Sequence, residues 1–260
     1  MIDIEQIKNY FPASIRNNAV LKKYMLKEYI QLLILNYLSK TVYIKKIAFI
    51  GGTNLRLIKK INRFSEDLDF DCKDFSYNDF LKMTDGILLF LHRYGFNAEI
   101  KDRDNEKLKA FRRNIYFPKF LFDLKLSVFK EERFLIKIET QDQKFLYNCE
   151  IKNIKYFGFF FPFSTPPDDV LCAMKIAALL SRKKGRDFYD VMFLLGQTTP
   201  DYDYLNQKCG ISNLRELKSG LLQVANTTNL KLKLRDFTHL VFDKDDADKI
   251  LNFRAFVETL

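Results

Sequence analysis

The chain has 260 residues, 47% of them hydrophobic, which is enough to bury a core in one large or two small domains and excludes a disordered tail. Its 43 Lys and Arg outnumber 33 Asp and Glu, and the formal charge of +10 favours an anionic partner such as a nucleotide or RNA. The same charge is compatible with a merely soluble basic protein. Four widely spaced cysteines without a CxxC pair exclude a zinc or disulfide scaffold.

The chain lacks the pattern of a secreted or membrane protein. Asp3 and Glu5 stand where a signal peptide carries basic residues before an apolar run. The most apolar stretches, residues 29–38 and 157–163, are shorter than the ~18 residues that span a bilayer. We therefore expect a cytoplasmic protein with reduced cysteines and no membrane partner.

The first 160 residues have the periodicities of a mixed α/β domain. In chain order they predict a helix over 14–38, a strand over 46–50, a helix over 54–60, a strand over 67–71, a helix over 78–94 that stops at Gly95, and a strand over 96–101. Further strands are predicted over 113–117, 120–129 and 134–140, in an antiparallel meander.

The remaining residues predict a mainly helical part. Pro162, Pro166 and Pro167 mark a break, and Thr165 with Asp168 resembles a capping box that opens a helix extending to about residue 181. Helices are also predicted over 186–195, 213–225 and 245–258. The predicted domains are therefore 1–160, an α/β domain, and 161–260, a helical domain.

An acidic strand is the first candidate for chemistry. Asp67 and Asp69 alternate with apolar residues, so their side chains share one face of a strand, with Cα atoms roughly 6.5 Å apart. Such a pair can converge on divalent ions that serve phosphoryl transfer. Carboxylates without histidine suit Mg²⁺, with Mn²⁺ as the alternative. The competing interpretation is a solvated face on an edge strand.

The turn before this strand is the second candidate. Gly51 and Gly52 permit a tight strand-to-helix turn whose backbone N–H groups can cradle phosphates, and Thr53 can cap the helix that follows. An ordinary turn is the competing interpretation. Arg63 and Ser65 flank the acids, where Arg63 could pair with a phosphate and Ser65 could hydrogen-bond a metal ligand.

A third set of candidates lies in the helical part. Lys175 lies on an otherwise apolar helix, where a buried charge is costly unless a phosphate or an acid pairs with it. The competing interpretation is a lysine at the flank of the helix whose ammonium reaches the surface. Arg182 follows two helical turns later and can face the same anion. Asp187 and Asp190 share a face of the next helix, as parts of the site or of a structural ion-pair network.

Taken in order, these motifs resemble a known family. Gly51-Gly52-Thr53-Asn54-Leu55 followed by Arg63-Phe64-Ser65-Glu66-Asp67-Leu68-Asp69 resembles the signature of the AbiEii/AbiGii toxins. The resemblance continues at Phe134-Leu135-Ile136-Lys137-Ile138-Glu139, at Ala173-Met174-Lys175, and from Arg182 to Asp190. It covers residues 14–195 and leaves those beyond about 200 without a motif.

The resemblance implies a fold and roles for these residues. The fold would be α+β, the mixed sheet of a polymerase-β-like nucleotidyltransferase with flanking helices, followed by a mainly helical C-terminal part that completes the nucleotide site. Gly51, Gly52 and Thr53 would contact phosphate. Asp67, Asp69 and a third acid would hold the metal; Glu139 is favoured for that third position over Asp123. Lys175 would bind triphosphate, with Asp187 essential and Asp190 orienting Arg186 or Lys175.

The expected function is that of a Mg²⁺-dependent nucleotidyltransferase toxin. By resemblance, it would transfer NMP from an NTP to an acceptor hydroxyl on RNA, in particular tRNA. It would belong to a type IV toxin–antitoxin or phage-defence system with a cognate antitoxin protein. The alternatives are a metal-dependent nuclease, disfavoured because hydrolysis needs no triphosphate cradle, and a noncatalytic RNA-binding module, disfavoured because the acids are intact.

Overall fold

The computed structural model describes residues 3–101 and 110–260 and has two compact units. The first comprises Met1–Lys60, Phe64–Lys144 and Cys149–Thr165. The second comprises Ile61–Arg63, Phe145–Asn148 and Pro166–Leu260. The main division follows Thr165 at the end of a strand, whereas a cut after residue 160 would pass through that strand.

The first unit contains seven strands and six α-helices within the described residues. In chain order they are α1 (Ile4–Lys8), α2 (Ala13–Arg16), α3 (Lys22–Leu38), β1 (Ile47–Ile50), α4 (Gly51–Leu57), β2 (Asp67–Cys72), α5 (Tyr77–Arg93), β3 (Glu99–Ile100), β4 (Phe111–Tyr116), α6 (Phe120–Asp123), β5 (Leu135–Gln141), β6 (Glu150–Tyr156) and β7 (Phe159–Thr165). A 3₁₀ turn, Val42–Lys45, precedes β1.

A five-stranded mixed sheet organises this unit in the order β1-β2-β5-β4-β3. β2 runs antiparallel to β1 and parallel to β5, and β5 runs antiparallel to β4. Because the residues of β2 and β5 alternate, Leu68 and Ile138 are buried, whereas Asp69 and Glu139 remain partly exposed. The sheet therefore has one apolar and one polar face, and the polar face carries the predicted acids.

Helix α5 covers the apolar side of β4, where Arg113 donates hydrogen bonds to Thr84 and Asp85 of that helix. The two-stranded sheet formed by β6 and β7 adds aromatic packing. The ring of Phe163 lies 5.8 Å from that of Phe49 and 6.0 Å from that of Phe70. These contacts anchor β1 and β2 from the side and hold the strands that carry the site.

The second unit is helical within its described residues. Its α-helices are α7 (Asp168–Arg182), α8 (Gly185–Leu195), α9 (Tyr202–Cys209), α10 (Leu214–Thr227), α11 (Leu230–Arg235), α12 (Lys244–Asp248) and α13 (Phe253–Thr259). Two 3₁₀ turns, Thr238–Leu240 and Lys249–Asn252, complete it. Phe188 and Phe253, both fully buried, pack edge to face with ring centroids 4.9 Å apart. None of the helices in the described parts of the chain is long and apolar enough to cross a membrane.

The α+β fold class is confirmed, but several predicted elements are corrected. The helix predicted over 14–38 is broken after Asn17, because the Asn18 side chain accepts the Val20 N–H and forms a turn. The helix predicted over 245–258 is divided by a 3₁₀ turn. The sequence pattern also missed β6 paired with β7, α9 and α11.

Two local predictions failed for identifiable reasons. Residues 120–129, predicted as a strand, begin with α6 and continue into a loop, because the Leu121 carbonyl accepts the N–H groups of Leu126 and Ser127. The predicted Thr165 cap is wrong as well. Pro167 occupies the N-cap position of α7, and the Thr165 hydroxyl instead bonds the Phe49 carbonyl within the first unit.

Candidate active site

The Gly51-Gly52-Thr53 turn lies directly against the acidic strand. Gly51 has a φ of +80°, a conformation that favours glycine, and it opens α4 at the end of β1. A Cβ at this position would overlap the Asp69 carboxylate and lie 2.8 Å from the Asp69 Cβ. Glycine is therefore required both for the backbone conformation and for the close approach of the turn to Asp69.

Thr53 fastens this turn to the acidic strand. Its hydroxyl, predicted to cap the helix, donates instead to the backbone carbonyl of Asp67. The helix begins two residues earlier, at Gly51, with Ile50 at the N-cap position. Thr53 is only 1% exposed, so its side chain acts inside the protein, and the predicted phosphate contact would have to come from the backbone.

Buried hydrogen bonds hold α4 from behind. Arg56 donates to Glu28 of α3 over 2.9 Å and to the Tyr156 hydroxyl over 2.9 Å. Burial raises the pKa of Glu28, and the positive charge of Arg56 opposes that shift. The Asn54 amide donates to the Phe49 carbonyl over 2.6 Å. The Gly51-Gly52-Thr53 turn is thus part of a rigid frame, which fixes its backbone conformation.

The predicted carboxylates form a row on the polar face of the sheet. Asp67 lies opposite Lys137, and Asp69 lies opposite Glu139 on the parallel strand β5. Lys137 Nζ is 2.9 Å from Asp67 Oδ2 and 3.6 Å from Glu139 Oε2. The structure therefore brings Asp67, Asp69 and Glu139 onto adjacent strands and places a lysine between two of them.

Arg112 of β4 completes this row. Its Nε donates to Glu139 Oε2 over 2.8 Å, and its NH2 group lies 2.7 Å from the same oxygen. Sequence reasoning missed Arg112 and Lys137 as site residues. Lys137 was detectable, because it stands two residues before Glu139 on a strand of alternating pattern. Arg112 was not, because only the sheet order reveals that it faces Glu139.

The two candidates for the third acid, Glu139 and Asp123, lie in different parts of the first unit. Glu139 lies beside Asp69 in the strand register. Asp123 lies at the end of the short helix α6, outside the sheet. The geometry favours Glu139, as the resemblance does, because only Glu139 shares the polar face with Asp67 and Asp69.

The donor chemistry of this row fits Mg²⁺. Asp67 and Asp69 offer partly exposed carboxylate oxygens, and Mg²⁺ in phosphoryl-transfer sites is commonly held by one or two carboxylates together with substrate phosphates and water. Within residues 3–101 and 110–260, no group of three or more His, Cys, Asp or Glu side chains is arranged to hold a metal ion. The observed arrangement thus supports Asp67 and Asp69 as a pair, and Glu139 as a third ligand stays a prediction.

Ser65 lies just before the acidic strand and is buried. Its carbonyl accepts a hydrogen bond of 3.2 Å from the Gln31 side chain on α3. This contact helps to set the start of β2, and the hydrogen bond predicted between Ser65 and a metal ligand stays a prediction.

A second cluster, in the helical unit, is built around Asp190. Arg63 donates through two nitrogens to the two Asp190 oxygens, each over 2.6 Å, and Lys175 Nζ donates to Oδ2 over 2.9 Å. Burial alone would raise the pKa of Asp190, but Arg63 and Lys175 outweigh it and hold that pKa at about 2. Asp190 is therefore ionised and neutralised by two buried cations.

This geometry assigns observed partners to three predicted site residues. Asp190 accepts a hydrogen bond from Lys175, one of the two residues that it was expected to orient, and the orienting role itself stays a prediction. Arg63 was expected to pair with phosphate. Its guanidinium instead donates two hydrogen bonds to the Asp190 carboxylate. Because Arg63 is only 1% exposed, its guanidinium is not accessible to a phosphate. Lys175 is buried but paired with an acid, so it does not merely snorkel to the surface.

Asp187 and Arg182 form a separate pair in the same unit. Arg182 donates to the two Asp187 oxygens over 2.8 and 2.7 Å, and the Lys184 N–H donates to Asp187 over 3.3 Å. Asp187 is fully buried and stabilises the first turn of α8. Both aspartates of the Arg-Asp-x-x-Asp segment are thus engaged in ion pairs, as one interpretation of the sequence anticipated.

Comparison with known protein families gives a match over most of the chain. The family model described as nucleotidyl transferase AbiEii toxin, type IV toxin–antitoxin system, matches residues 33–259. A search of curated proteins found no significant match.

Two solved structures share the fold. The nucleotidyltransferase toxin MenT4 from Mycobacterium tuberculosis is similar with a TM-score of 0.62 and 16% identity, covering 100% of this chain and 91% of the other. JHP933 from Helicobacter pylori is similar with a TM-score of 0.56 and 19% identity, covering 91% of this chain and 90% of the other.

Proposed function

The chain belongs to the AbiEii family of type IV toxin nucleotidyltransferases, and from this premise we propose that it transfers NMP from an NTP to a hydroxyl of tRNA. In this proposal Mg²⁺ is held by Asp67 and Asp69. The membership itself supports an NTP substrate and an antitoxin partner. The metal, the RNA acceptor and the individual residue roles are the content of the proposal.

One observation carries the proposal, namely the packing of Gly51 against the Asp69 carboxylate. A phosphate-binding turn and a metal-binding acid serve the same reaction only when they are held together. The Thr53 hydroxyl provides a second contact, a hydrogen bond from α4 to the backbone carbonyl of Asp67. Triphosphate and metal can therefore meet at one place without rearrangement of the frame, which is the pre-organisation that phosphoryl transfer requires.

The residues of the row have distinct parts in this scheme. Bound Mg²⁺ would neutralise charge on the phosphates and on the leaving pyrophosphate. Asp67 and Asp69 provide the oxygens that hold it. Glu139, fixed by Arg112, is placed to orient or deprotonate the attacking hydroxyl. Lys137, which bridges Asp67 and Glu139, keeps these carboxylates together against their mutual repulsion.

The residues of the helical unit are assigned supporting parts. Lys175 and Asp187 are the resemblance-based candidates for triphosphate binding and for an essential acid. Their observed partners, Asp190 and Arg182, give each of them a structural contribution that loss of activity alone would not separate from a catalytic one. A variant at either position is therefore informative only when its folding is measured beside its activity.

The test is label transfer to RNA. Purified protein is incubated with Mg²⁺, each α-labelled NTP in turn, and total tRNA, and wild type is compared with Asp69→Ala. We expect label on tRNA with wild type and roughly a thousandfold less with the variant, because the metal would lose one of two carboxylates and with it several kcal/mol of transition-state stabilisation. Persistent transfer by Asp69→Ala would refute the proposed site, and shortened RNA without label would indicate a nuclease.

A second readout is growth. Expression of a toxin of this family without its antitoxin is expected to arrest growth, and Asp69→Ala should relieve the arrest. Arrest that continues with the inactive variant, at equal protein level, would separate toxicity from nucleotidyl transfer.

A further inference from the structure

A basic surface in the helical unit contains cations that, apart from Arg182 and Arg186, are assigned no part in the chemistry described above. Two short segments, 182–187 and 230–236, contain seven Lys and Arg residues and two Asp residues. Their surplus of five positive charges is half of the formal charge of the whole chain, which is +10. We define the α8–α11 basic surface by these cations, which are Arg182, Lys183, Lys184, Arg186, Lys231, Lys233 and Arg235.

The fold brings the two segments together although they are far apart in sequence. Gly185, the first residue of α8, lies so close to the Lys233 carbonyl that a Cβ there would overlap it. The same Cβ would be 2.8 Å from the ring of Phe237. Lys183 Nζ donates to the Thr227 hydroxyl over 3.4 Å, just before α11 begins. The two segments therefore lie in contact with each other, and glycine at position 185 makes that contact possible.

The acids of the two segments do not cancel this charge. Asp187 is fully buried and holds Arg182. Asp236 lies 3.8 Å from Lys233, and the pair is partly exposed, so solvent weakens their interaction. Lys184, Lys231 and Arg235 are exposed. The surface thus presents several cations to solvent within a small area.

We propose that the α8–α11 basic surface binds the phosphate backbone of the acceptor RNA. This inference rests on the proposed function, because it identifies where the nucleic acid that receives the nucleotide is held. Phosphate groups along an RNA strand match a row of Lys and Arg side chains, and release of counterions supplies the binding free energy. Contacts of this type position an RNA without reading its sequence.

The composition of the surface favours RNA over an acidic protein partner. Protein–protein interfaces have a core in which charged residues are depleted and large apolar or aromatic residues are enriched. In these two segments Leu232 is 55% exposed, and Leu230 and Leu234 are half-buried. A surface on which cations outnumber the leucines is better suited to a polyanion than to a protein interface.

The test compares two double variants of equal charge. Lys231→Gln with Arg235→Gln removes two exposed cations of the basic surface. Arg215→Gln with Lys244→Gln removes two exposed cations of the same unit, on α10 and α12, and serves as the control. None of the four residues belongs to the proposed active site. Binding of total tRNA is measured by filter retention between 50 and 200 mM salt, conditions in which phosphate contacts dominate affinity.

We expect the first variant to bind tRNA roughly tenfold more weakly and its salt dependence, log K against log salt, to become shallower by about 1.5. The control should stay within about twofold of wild type, and NTP binding should be unchanged in both. Thermal melts establish that both variants are folded. Equal losses of tRNA affinity in the two double variants would overturn the proposal, and so would an unchanged salt dependence in the first. The proposal would also be overturned if the first variant lost binding to an acidic protein partner while its tRNA binding stayed intact.

Failure of this inference and failure of the proposed function are distinguishable. If Asp69→Ala abolishes label transfer while Lys231→Gln with Arg235→Gln leaves tRNA binding intact, the reaction stands and the RNA surface lies elsewhere. If wild type binds tRNA through these cations but label transfer does not depend on Asp69, the surface stands and the site is wrong.

Discussion

Two aspartates, Asp69 and Asp190, show how one residue type serves opposite purposes in the two units. Asp69 is partly exposed on the polar face of a sheet, beneath a glycine turn. Asp190 is fully buried in the helical unit and bonded to two cations. A partly exposed carboxylate can exchange a neighbour for a metal ion, whereas a buried and neutralised one cannot do so without disrupting its surroundings.

The surroundings of the two aspartates distinguish a carboxylate that is accessible for a reaction from one that stabilises the fold. Both aspartates lie in motifs that resemble functional segments of the family. Their environments, however, predict different consequences of mutation, because desolvated cations around Asp190 depend on its charge.

Neutralising Asp190 should strongly destabilise the fold, and neutralising Asp69 should not. Asp190→Asn removes the carboxylate that pairs with the buried Arg63 and that opposes the lowering of the Lys175 pKa by burial, so we expect a loss of about 3–5 kcal/mol in the free energy of unfolding. Asp69→Asn should change that free energy by less than about 1 kcal/mol while abolishing label transfer. Urea unfolding followed by circular dichroism measures both. A stable Asp190→Asn protein without activity would instead indicate a direct role in catalysis.

Substitution of Gly51 by alanine should damage the site more than a matched substitution elsewhere. The new Cβ would overlap the Asp69 carboxylate, so we expect roughly a hundredfold loss of label transfer and a destabilisation of about 1–3 kcal/mol. Gly95→Ala is the control, since Gly95 also has a positive φ, +89°, but nothing lies within 4 Å of its added Cβ. Equal effects at both positions would show that backbone strain alone, and not contact with Asp69, explains the loss.

The Asp190 cluster should also give the protein a characteristic acid response. The pKa of Asp190 in the folded protein, about 2, lies below its ordinary value of 3.8, so its ionisation stabilises the fold above about pH 4 and this contribution is lost as the pH falls towards 2. The contribution is about 2 kcal/mol. Unfolding free energies of wild type and Asp190→Asn should therefore converge by about that amount between pH 5 and pH 2. Parallel curves would contradict the assignment of this shift to Asp190.

Removing Lys137 should have the smallest effect, on metal affinity. Its ammonium lies 2.9 Å from Asp67 and competes with any divalent ion for that carboxylate. In Lys137→Gln we expect the Mg²⁺ concentration for half-maximal label transfer to fall by about threefold to tenfold, a change of roughly 1 kcal/mol. Exposed Lys45→Gln is a suitable control. A rise in the required Mg²⁺ would indicate that Lys137 helps to hold the metal or its substrate.

Much of the first unit could be read from the sequence, for local reasons. Alternation over residues 67–71 and 134–140 predicts strands with one polar face, because side chains of a strand point to opposite sides. The glycines at 51 and 52 predict the turn, because few other residues adopt its backbone conformation. The mixed α/β character of this unit and the positions of Asp67 and Asp69 followed from these patterns, whereas the fold of the sheet and Glu139 were implied by the family resemblance.

Other features depended on contacts that no local pattern contains. The break at Asn18, the α6 turn and the pairing of β6 with β7 arise from specific hydrogen bonds or strand partners. Arg112 faces Glu139 only because β4 lies next to β5 in the sheet. Arg63 was expected to contact phosphate, since its sequence neighbours are site residues, but its guanidinium is buried against an aspartate 127 residues away.

By itself, the sequence determined which residue types could perform phosphoryl transfer and in which order they occur: a glycine turn, paired acids, a third acid implied by the family resemblance, and a lysine on an apolar helix. Those signals are local, since they depend on side-chain chemistry and on the periodicity of one element. Only the tertiary structure decided that Gly51 touches Asp69, that Lys137 bridges two carboxylates and that Asp190 is neutralised by two buried cations. Burial and ion pairing are set by residues distant in the chain, and they decide whether a carboxylate is available for chemistry or committed to the fold.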